Sequence, residues 1–493
     1  MQLNDYVEKD IIRKKEICEL LYNGRIRKRK WIANKLEVSE GTILQDIKKM
    51  NILFQPINVN IHATAKGYLL DNPSFASKKK LTAVLLEKSL FLKAMVFFCK
   101  NQKKTLIDFA NQYFISLSQA YKLRGRVQSY LTNVGLELNI DKITGQEYRL
   151  RFLKAYIQIM TGIQMTKITK KVEEQIQHFI QETSQQVQLD FPPQTIEYLV
   201  LLIYLGISSD YDEPEIPKEE LEYLPKRLSY AVSANLDLLN SLSYKEKLKK
   251  EQPYFTLIFC IQNEKHLDID QTYSSLEYHN QHDFRDNRQA KDLFNQLERR
   301  FHKKQLQDDP ILWCAFNNFF KKTICDLQPL IPQERVFLPT QKQEYYQEIK
   351  QILATWKKRW AFPYNFDDMH IQQLALHTFE SLHERSCYFV NLVTESSIDF
   401  FSYQILFDKE FRGKIRIHYQ VFSNVQQALQ DAKHSGNSVL CDEKIYLPTY
   451  KKLFPQVFSV SLAFTSMEWL ALEARISKKK ISRTLASKKT NEY

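Results

Sequence analysis

The sequence predicts a multidomain, mainly α-helical protein: two N-terminal winged helix-turn-helix modules, two helical bundles in the middle and a small α/β domain at the end. Three observations lead there. The chain has 493 residues, more than one hydrophobic core supports, and 44% are apolar with only 10 glycines and 15 prolines, a composition of folded helical domains rather than of disorder. A helix-turn-helix pattern that begins near residue 31 recurs 77 positions later. Beyond residue 385 strand-like and helix-like segments alternate, the grammar of an α/β domain.

Charge singles out the first third. Residues 1–160 hold 28 Lys+Arg against 14 Asp+Glu, and the remainder holds 42 against 43. A local cationic surface attracts a polyanion by neutralising phosphates and releasing counterions, so double-stranded DNA is the leading partner. An acidic membrane and a merely solvated face are the alternatives. Seven cysteines without a CxxC pair and a charged start (Asp5, Glu8, Lys9, Asp10) predict a reduced, cytoplasmic protein. Residues 198–207 are apolar but too few to span a bilayer, and 84–99 are interrupted by Glu87, Lys88 and Lys93, so no membrane crossing is expected.

In the first module, Ile12, Ile17, Leu20 and Leu21 make 11–22 an amphipathic helix, followed by a basic loop containing Lys28, Arg29 and Lys30. A short helix spans 31–36, and Ser39 then caps a third helix whose Ile43, Ile47 and Met50 form a buried stripe. On the other side, Thr42, Gln45 and Lys49 share a polar face at i, i+3, i+7 that suits a major groove, with Lys48 and the 28–30 run for the backbone. The alternation at 57–61, a turn at 62–67 and a return at 68–70 predict a wing with Lys66 near its tip. An ordinary solvated helix side is the competing reading of the polar face.

The second module repeats the first. Phe109-Ala110-Asn111-Gln112-Tyr113-Phe114-Ile115-Ser116 aligns without gaps on Ile32-Ala33-Asn34-Lys35-Leu36-Glu37-Val38-Ser39. Gln119, Lys122 and Arg126 then take the places of Thr42, Gln45 and Lys49, and Ala120, Val127 and Leu131 form the buried side. Arg124 replaces apolar Ile47, and Gly125 weakens the helix. A second wing is expected from 136–140, a turn at 144–145 and a strand over 148–152.

From 153 to about 384 the pattern is helical and broken by prolines, with the boundary between two bundles near the polar segment 284–289. Strands are then expected at 388–393, 415–421, 439–440 and 457–462, helices at 398–411, 425–432 and 467–476, and a frayed basic tail after that.

The order of these parts resembles the Mga/AtxA-type virulence regulators of Gram-positive bacteria. The likeness is carried by Trp31-Ile32-Ala33-Asn34-Lys35-Leu36-Glu37-Val38-Ser39-Glu40-Gly41-Thr42-Ile43-Leu44-Gln45-Asp46-Ile47 and by Phe114-Ile115-Ser116-Leu117-Ser118-Gln119-Ala120-Tyr121-Lys122. It implies winged modules at 1–72 and 73–154, phosphotransferase-regulation (PRD-like) domains at 155–284 and 285–386, an EIIB-like domain at 387–476 and a tail at 477–493. It also implies control by histidine phosphorylation from a phosphotransferase-system phosphocarrier protein, since a phosphate adds charge and strong acceptors at a domain interface. Within 374–385, His377 is the first candidate and His383 the second; the matching helix of the first bundle, 196–208, has no histidine. A satisfied histidine is the competing reading of either. The EIIB likeness departs where a phosphoryl-accepting cysteine is required: Thr394-Glu395-Ser396-Ser397 follows the first strand, and Cys387 precedes it. An interaction domain, for a homodimer or higher oligomer, is inferred instead.

No cofactor or metal is expected. His279, His282 and Asp283 lack a second cluster at metal spacing, His370 and His377 lie too far apart for one ion, and no Walker loop, Rossmann fingerprint or HExxH occurs. The sequence thus points to a DNA-binding regulator, an activator by resemblance, and not to an enzyme; the alternative is a phosphotransferase-system phosphoryl-transfer component.

Overall fold

The computed structural model describes residues 3–476 except 25, 101–103, 210–213, 263–264, 267–287, 302, 304–305, 307–308, 334–337, 339, 384–387, 412–414, 419, 423, 436 and 455–456. The polar loop with His279 and His282, the bundle boundary at 284, Cys387, the tail beyond 476 and the side chain of His383 lie outside the described residues. The chain forms two compact units. The first comprises Met1–Leu267, Asn317–Phe337 and Phe362–Gln373; the second comprises Asp268–Phe316, Leu338–Ala361 and Leu374–Tyr493.

In the first unit, α1 (Leu3–Tyr6), α2 (Lys9–Leu21), α3 (Arg29–Lys35), α4 (Glu40–Phe54), β1 (Asn60–Thr64), β2 (Gly67–Asp71) and α5 (Lys78–Leu86) run in order. Ile17, Leu21, Ile32, Ile43, Ile47, Met50, Phe54, Leu81 and Leu85 form one core, which is the stripe expected from the spacing of α4. The wing is shifted from its expected place. Residues 55–57 form a 3-10 turn, Asn58 is left-handed with φ 53°, and β1 and β2 meet around a two-residue loop, Ala65-Lys66. Gly67 is required there: its φ is 141°, and a Cβ would lie 2.5 Å from the Arg27 carbonyl oxygen.

α6 (Leu90–Cys99), α7 (Leu106–Gln112), α8 (Leu117–Asn133), β3 (Glu137–Asn139) and β4 (Lys142–Thr144) make the second module. Its wing corrects the expected strand at 148–152, because the return strand is Lys142–Thr144 and 148–152 belong to α9 (Glu147–Thr161). The alternation of Tyr148, Leu150 and Phe152 with Arg149 and Arg151 imitates a strand only if the arginines face water, and both are buried. Arg151 donates to Glu251 at 2.5 and 2.9 Å and to Glu147 at 3.2 Å; Arg149 donates to the carbonyls of Val134 at 2.9 Å and Cys325 at 2.5 Å.

α10 (Lys170–Gln186), α11 (Pro193–Ile207), α12 (Lys218–Leu221), α13 (Lys226–Asn235) and α14 (Lys245–Cys260) form a bundle. Its core is continuous with that of the second module, through Tyr130, Phe152, Tyr198 and Tyr254 to Phe179 and Phe259. The first module keeps a separate core. Residues 317–337 and 362–373 complete the unit: Tyr198 Oη donates to the Leu330 carbonyl at 2.8 Å, and the Asp367 amide to Gln328 Oε1 at 2.9 Å.

In the second unit, helices Arg288–Phe301 and Thr340–Arg359 are joined by Trp356 Nε1 donating to the Gln289 carbonyl at 2.7 Å and by Arg359 pairing with Asp292 at 2.6 Å. A four-stranded parallel sheet follows, in spatial order Val457–Val460, Ser438–Asp442, Tyr388–Val393, Ile415–Ile417. Side chains alternate between its faces, as the period of a strand demands. Val390, Leu392, Leu440 and Val460 pack under Ser397–Phe411 and Trp469; Val393, Val439, Cys441 and Val457 pack against Val425–Ser435. The strands expected at 415–421 and 457–462 end early, at Ile417 and Val460.

Candidate nucleic-acid interface

The repeat extends to single hydrogen bonds. Glu37 and Phe114, 77 apart, make the left-handed turn between helices with φ of 54° and 52°. Ser39 Oγ accepts the Thr42 amide at 3.1 Å, and Ser116 Oγ accepts the Gln119 amide at 3.2 Å. These caps satisfy amides that the helix itself leaves unpaired and fix where α4 and α8 begin.

Each recognition helix also grips its own wing. Asn51 donates from Nδ2 to the Ile61 carbonyl and accepts the Ile61 amide at Oδ1, both at 2.8 Å. Its mate Gln128 accepts the amide of Leu138, the mate of Ile61, at 3.1 Å. The sequence reading missed this pair, although the offset that aligned the turns also aligns Asn51 with Gln128.

Held this way, α4 turns Gln45, Lys48 and Lys49 to solvent. Thr42 is half-buried, with its hydroxyl 2.8 Å from Ser39 Oγ, so it serves the cap. Asp46, on the inner side, is gripped by Arg13 at 2.5 and 3.3 Å, which locks α4 to α2 and raises the Arg13 pKa. Lys28, Arg29, Lys30 and the wing-tip Lys66 are exposed; Arg29 pairs with Glu40 at 2.7 Å. Arg27 lies over the Trp31 ring at 4.7 Å. Lys49 borders an open cleft lined by Glu8, Asp10, Lys14 and Lys88. There burial raises the Asp10 pKa, but the Lys14 ammonium at 2.5 Å outweighs it and holds the carboxyl below its usual range.

The second face departs from the expected one. Gln119 and Lys122 are exposed, but the Arg126 guanidinium donates to the Tyr6 carbonyl and lies 5.5 Å over the Phe91 ring. Arg126 sits on the flank of α8 and ties the N-terminal α1 to the second module. Tyr6 reinforces the tie by stacking on Phe91 at 5.7 Å, while Glu8 accepts Ser89 Oγ at 2.5 Å and the Phe91 amide at 3.1 Å. Arg124, where the first module has buried Ile47, reaches the carbonyl of Ile140 at the wing tip, with Nη2 at 2.7 Å. Thr105 and Asp108 form a capping box on α7, and that bonding holds the Asp108 carboxyl below the usual range.

The helix-turn-helix modules have counterparts among known proteins. Residues 8–59 match the M protein trans-acting positive regulator (MGA) HTH domain, and residues 74–156 match the Mga helix-turn-helix domain. The Capsule synthesis positive regulator AcpB of Bacillus anthracis is 22% identical over 384 residues, covering 72% of this chain and 76% of AcpB. The two matched domains and the likeness to AcpB support an Mga/AtxA-like regulator family. The first match takes in α2 to α4 and ends before the wing of the first module, and the second runs from α5 into α9 with the whole second module; both are helix-turn-helix domains, which support binding to DNA.

Elsewhere, His377 is exposed on the helix Asp368–His383. His370 is buried, with Nε2 3.1 Å from the Gln328 carbonyl oxygen, and burial pushes its imidazole down to about 3. In the second unit, Ser396 Oγ accepts the Asp399 amide at 3.1 Å. Among the described residues no helix is long and apolar enough to cross a membrane.

Proposed function

We propose that the chain is a cytoplasmic transcription activator of the Mga type, a global or virulence regulator, that grips duplex DNA with both modules and works as a homodimer or higher homo-oligomer. The observation that carries the reading is the duplicated, capped and wing-clamped helix, presented outward in the one basic third of the chain. Lys28, Arg29, Lys30, Lys48, Lys49 and Lys66 supply phosphate contacts; Gln45, Gln119 and Lys122 meet base edges, with Thr42 at the margin. Arg126 contributes by joining the modules. The printed name of AcpB, a positive regulator, favours activation.

The regions 155–284 and 285–386 are read as PRD-like and 387–476 as EIIB-like, after winged modules at 1–72 and 73–154 and before the tail at 477–493. The parallel sheet supports the last domain, and the hydroxyl cap at Ser396 in place of a thiol favours interaction over phosphoryl transfer. His377, being exposed, is the leading acceptor from a phosphocarrier protein, with His383 second.

Fluorescence anisotropy with a duplex oligonucleotide tests the reading. Affinity should fall by about 10³ between about 50 and 200 mM salt if some six phosphates are neutralised. No binding at low salt, or an affinity indifferent to salt, refutes it. Incubation with general phosphotransferase proteins separates the enzyme alternative, for which phosphate would pass onward stoichiometrically rather than stop at His377.

A further inference from the structure

The second module does not present the surface of the first. Around α8, Ile107, Phe114, Leu117, Tyr121 and Ile140 stand 57, 96, 44, 59 and 83% exposed. Their mates 77 positions earlier are Lys30, Glu37, Glu40, Leu44 and Ala63, so three charged positions have become apolar. Single exposed apolar groups need no explanation, whereas a set gathered around one helix marks a contact surface.

Leu117, Tyr121 and Arg124 follow one line of α8 at i, i+4, i+7. Arg124 fixes the wing tip beside that line through the Ile140 carbonyl, at 2.7 and 3.1 Å. Ile140 itself has φ 58°, a left-handed conformation that is unfavourable for a β-branched residue. The backbone angle itself is what the two-residue hairpin loop Ile140-Asp141 demands, so what calls for a contact is the choice of an exposed apolar side chain at that tip. Exposed Lys122 follows Tyr121 on α8 and exposed Lys142 lies two residues after Ile140, while Asp141, between Ile140 and Lys142, lies 3.9 Å from Arg124.

We propose that the second module reads DNA by apolar contact: Leu117 and Tyr121, flanked by Ile140, pack on the 5-methyl groups of thymines while Lys142 meets phosphate. Thymine alone presents a methyl in the major groove. A duplex is the occupant because the patch falls on α8, the second helix of the helix-turn-helix, where exposed Lys122 adjoins Tyr121 and exposed Lys142 follows the loop that carries Ile140. The first module then supplies the salt-dependent grip and the second a salt-tolerant preference for thymine. This rests on the second module being a DNA-binding element.

The test uses the full chain, a 30-base-pair A·T-rich duplex, and the same duplex with every thymine replaced by deoxyuridine. A methyl removed from water is worth about fourfold in affinity, so two contacts make the thymine duplex about fifteenfold the tighter. Leu117→Ser with Tyr121→Ser should weaken binding to the thymine duplex and bring the ratio to about one. Lys48→Ala with Lys49→Ala should weaken both duplexes and leave the ratio intact. Equal wild-type affinity for the two duplexes overturns the proposal without any variant. So does a ratio that survives Leu117→Ser with Tyr121→Ser, or unchanged DNA binding with a smaller sedimenting species, which would assign the patch to contact between copies. A wild-type chain that binds neither duplex at low salt refutes DNA binding itself, a distinguishable failure.

Discussion

Gly125 offers a perturbation whose stability and binding effects should have opposite signs. It lies near the middle of α8, exposed, and a Cβ built there would meet nothing within 4 Å. Alanine at an exposed helix interior is favoured over glycine by about 0.8–1 kcal/mol, with no packing to oppose it here. Gly125→Ala should therefore make opening of α8 about fourfold to fivefold rarer. Hydrogen exchange of a peptide covering 117–133, followed by mass spectrometry in the full chain, reads this locally, where a global melt of several domains would not. Gly125 is the mate of outward-facing Lys48, so the added methyl enters the space where the helix backbone approaches a groove. Overpacking a close contact costs roughly 1–3 kcal/mol, so DNA affinity should drop about tenfold. Slower exchange with unchanged affinity would show that this side of α8 does not meet DNA. Unchanged exchange would refute the account of the glycine itself.

Three further outcomes follow from other parts of the molecule. Lys48→Ala with Lys49→Ala should weaken binding across sequences and lower the slope of log affinity against log salt by about 2, whereas Gln45→Ala should change the preference among sites; equal losses on every sequence would remove Gln45 from base reading. Arg151→Met leaves Glu251, fully buried, without its two hydrogen bonds and should cost about 3–5 kcal/mol, with partial recovery on adding Glu251→Leu; urea unfolding monitored at the bundle decides, and a loss below about 1 kcal/mol would contradict the buried pairing. His370, held neutral with its imidazole near 3, contributes stability that is present above about pH 6.5 and lost as the pH falls toward about 3, because the unfolded chain takes up the proton first. Half-buried Asp367, pushed up by burial to about 6, acts oppositely, since its protonation favours the folded form as the pH falls from about 6 to 4. Asp367→Asn should therefore steepen the acid loss in that window, and a stability profile identical to wild type would remove the offset.

The sequence by itself determined whatever depends on neighbours along the chain. Ser39 and Ser116 announced the starts of α4 and α8, the apolar spacing of Ile43, Ile47 and Met50 gave the buried side, and the 77-residue offset gave the second module, because caps and helical stripes are settled within a turn or two of backbone. The α/β alternation after residue 385 was visible for the same reason. Tertiary structure decided the fate of the charged residues. Arg149 and Arg151 look like the wet side of a strand until their partners arrive from Cys325 and Glu251, more than ninety positions away. Arg126 looks like a DNA contact until α1 brings it the Tyr6 carbonyl. Only folding joined the second module's core to the bundle and gathered 317–337 and 362–373 into the first unit. A guanidinium pairs equally well with a phosphate or with a buried carboxylate, and which one it meets depends on distant residues that local spacing does not specify.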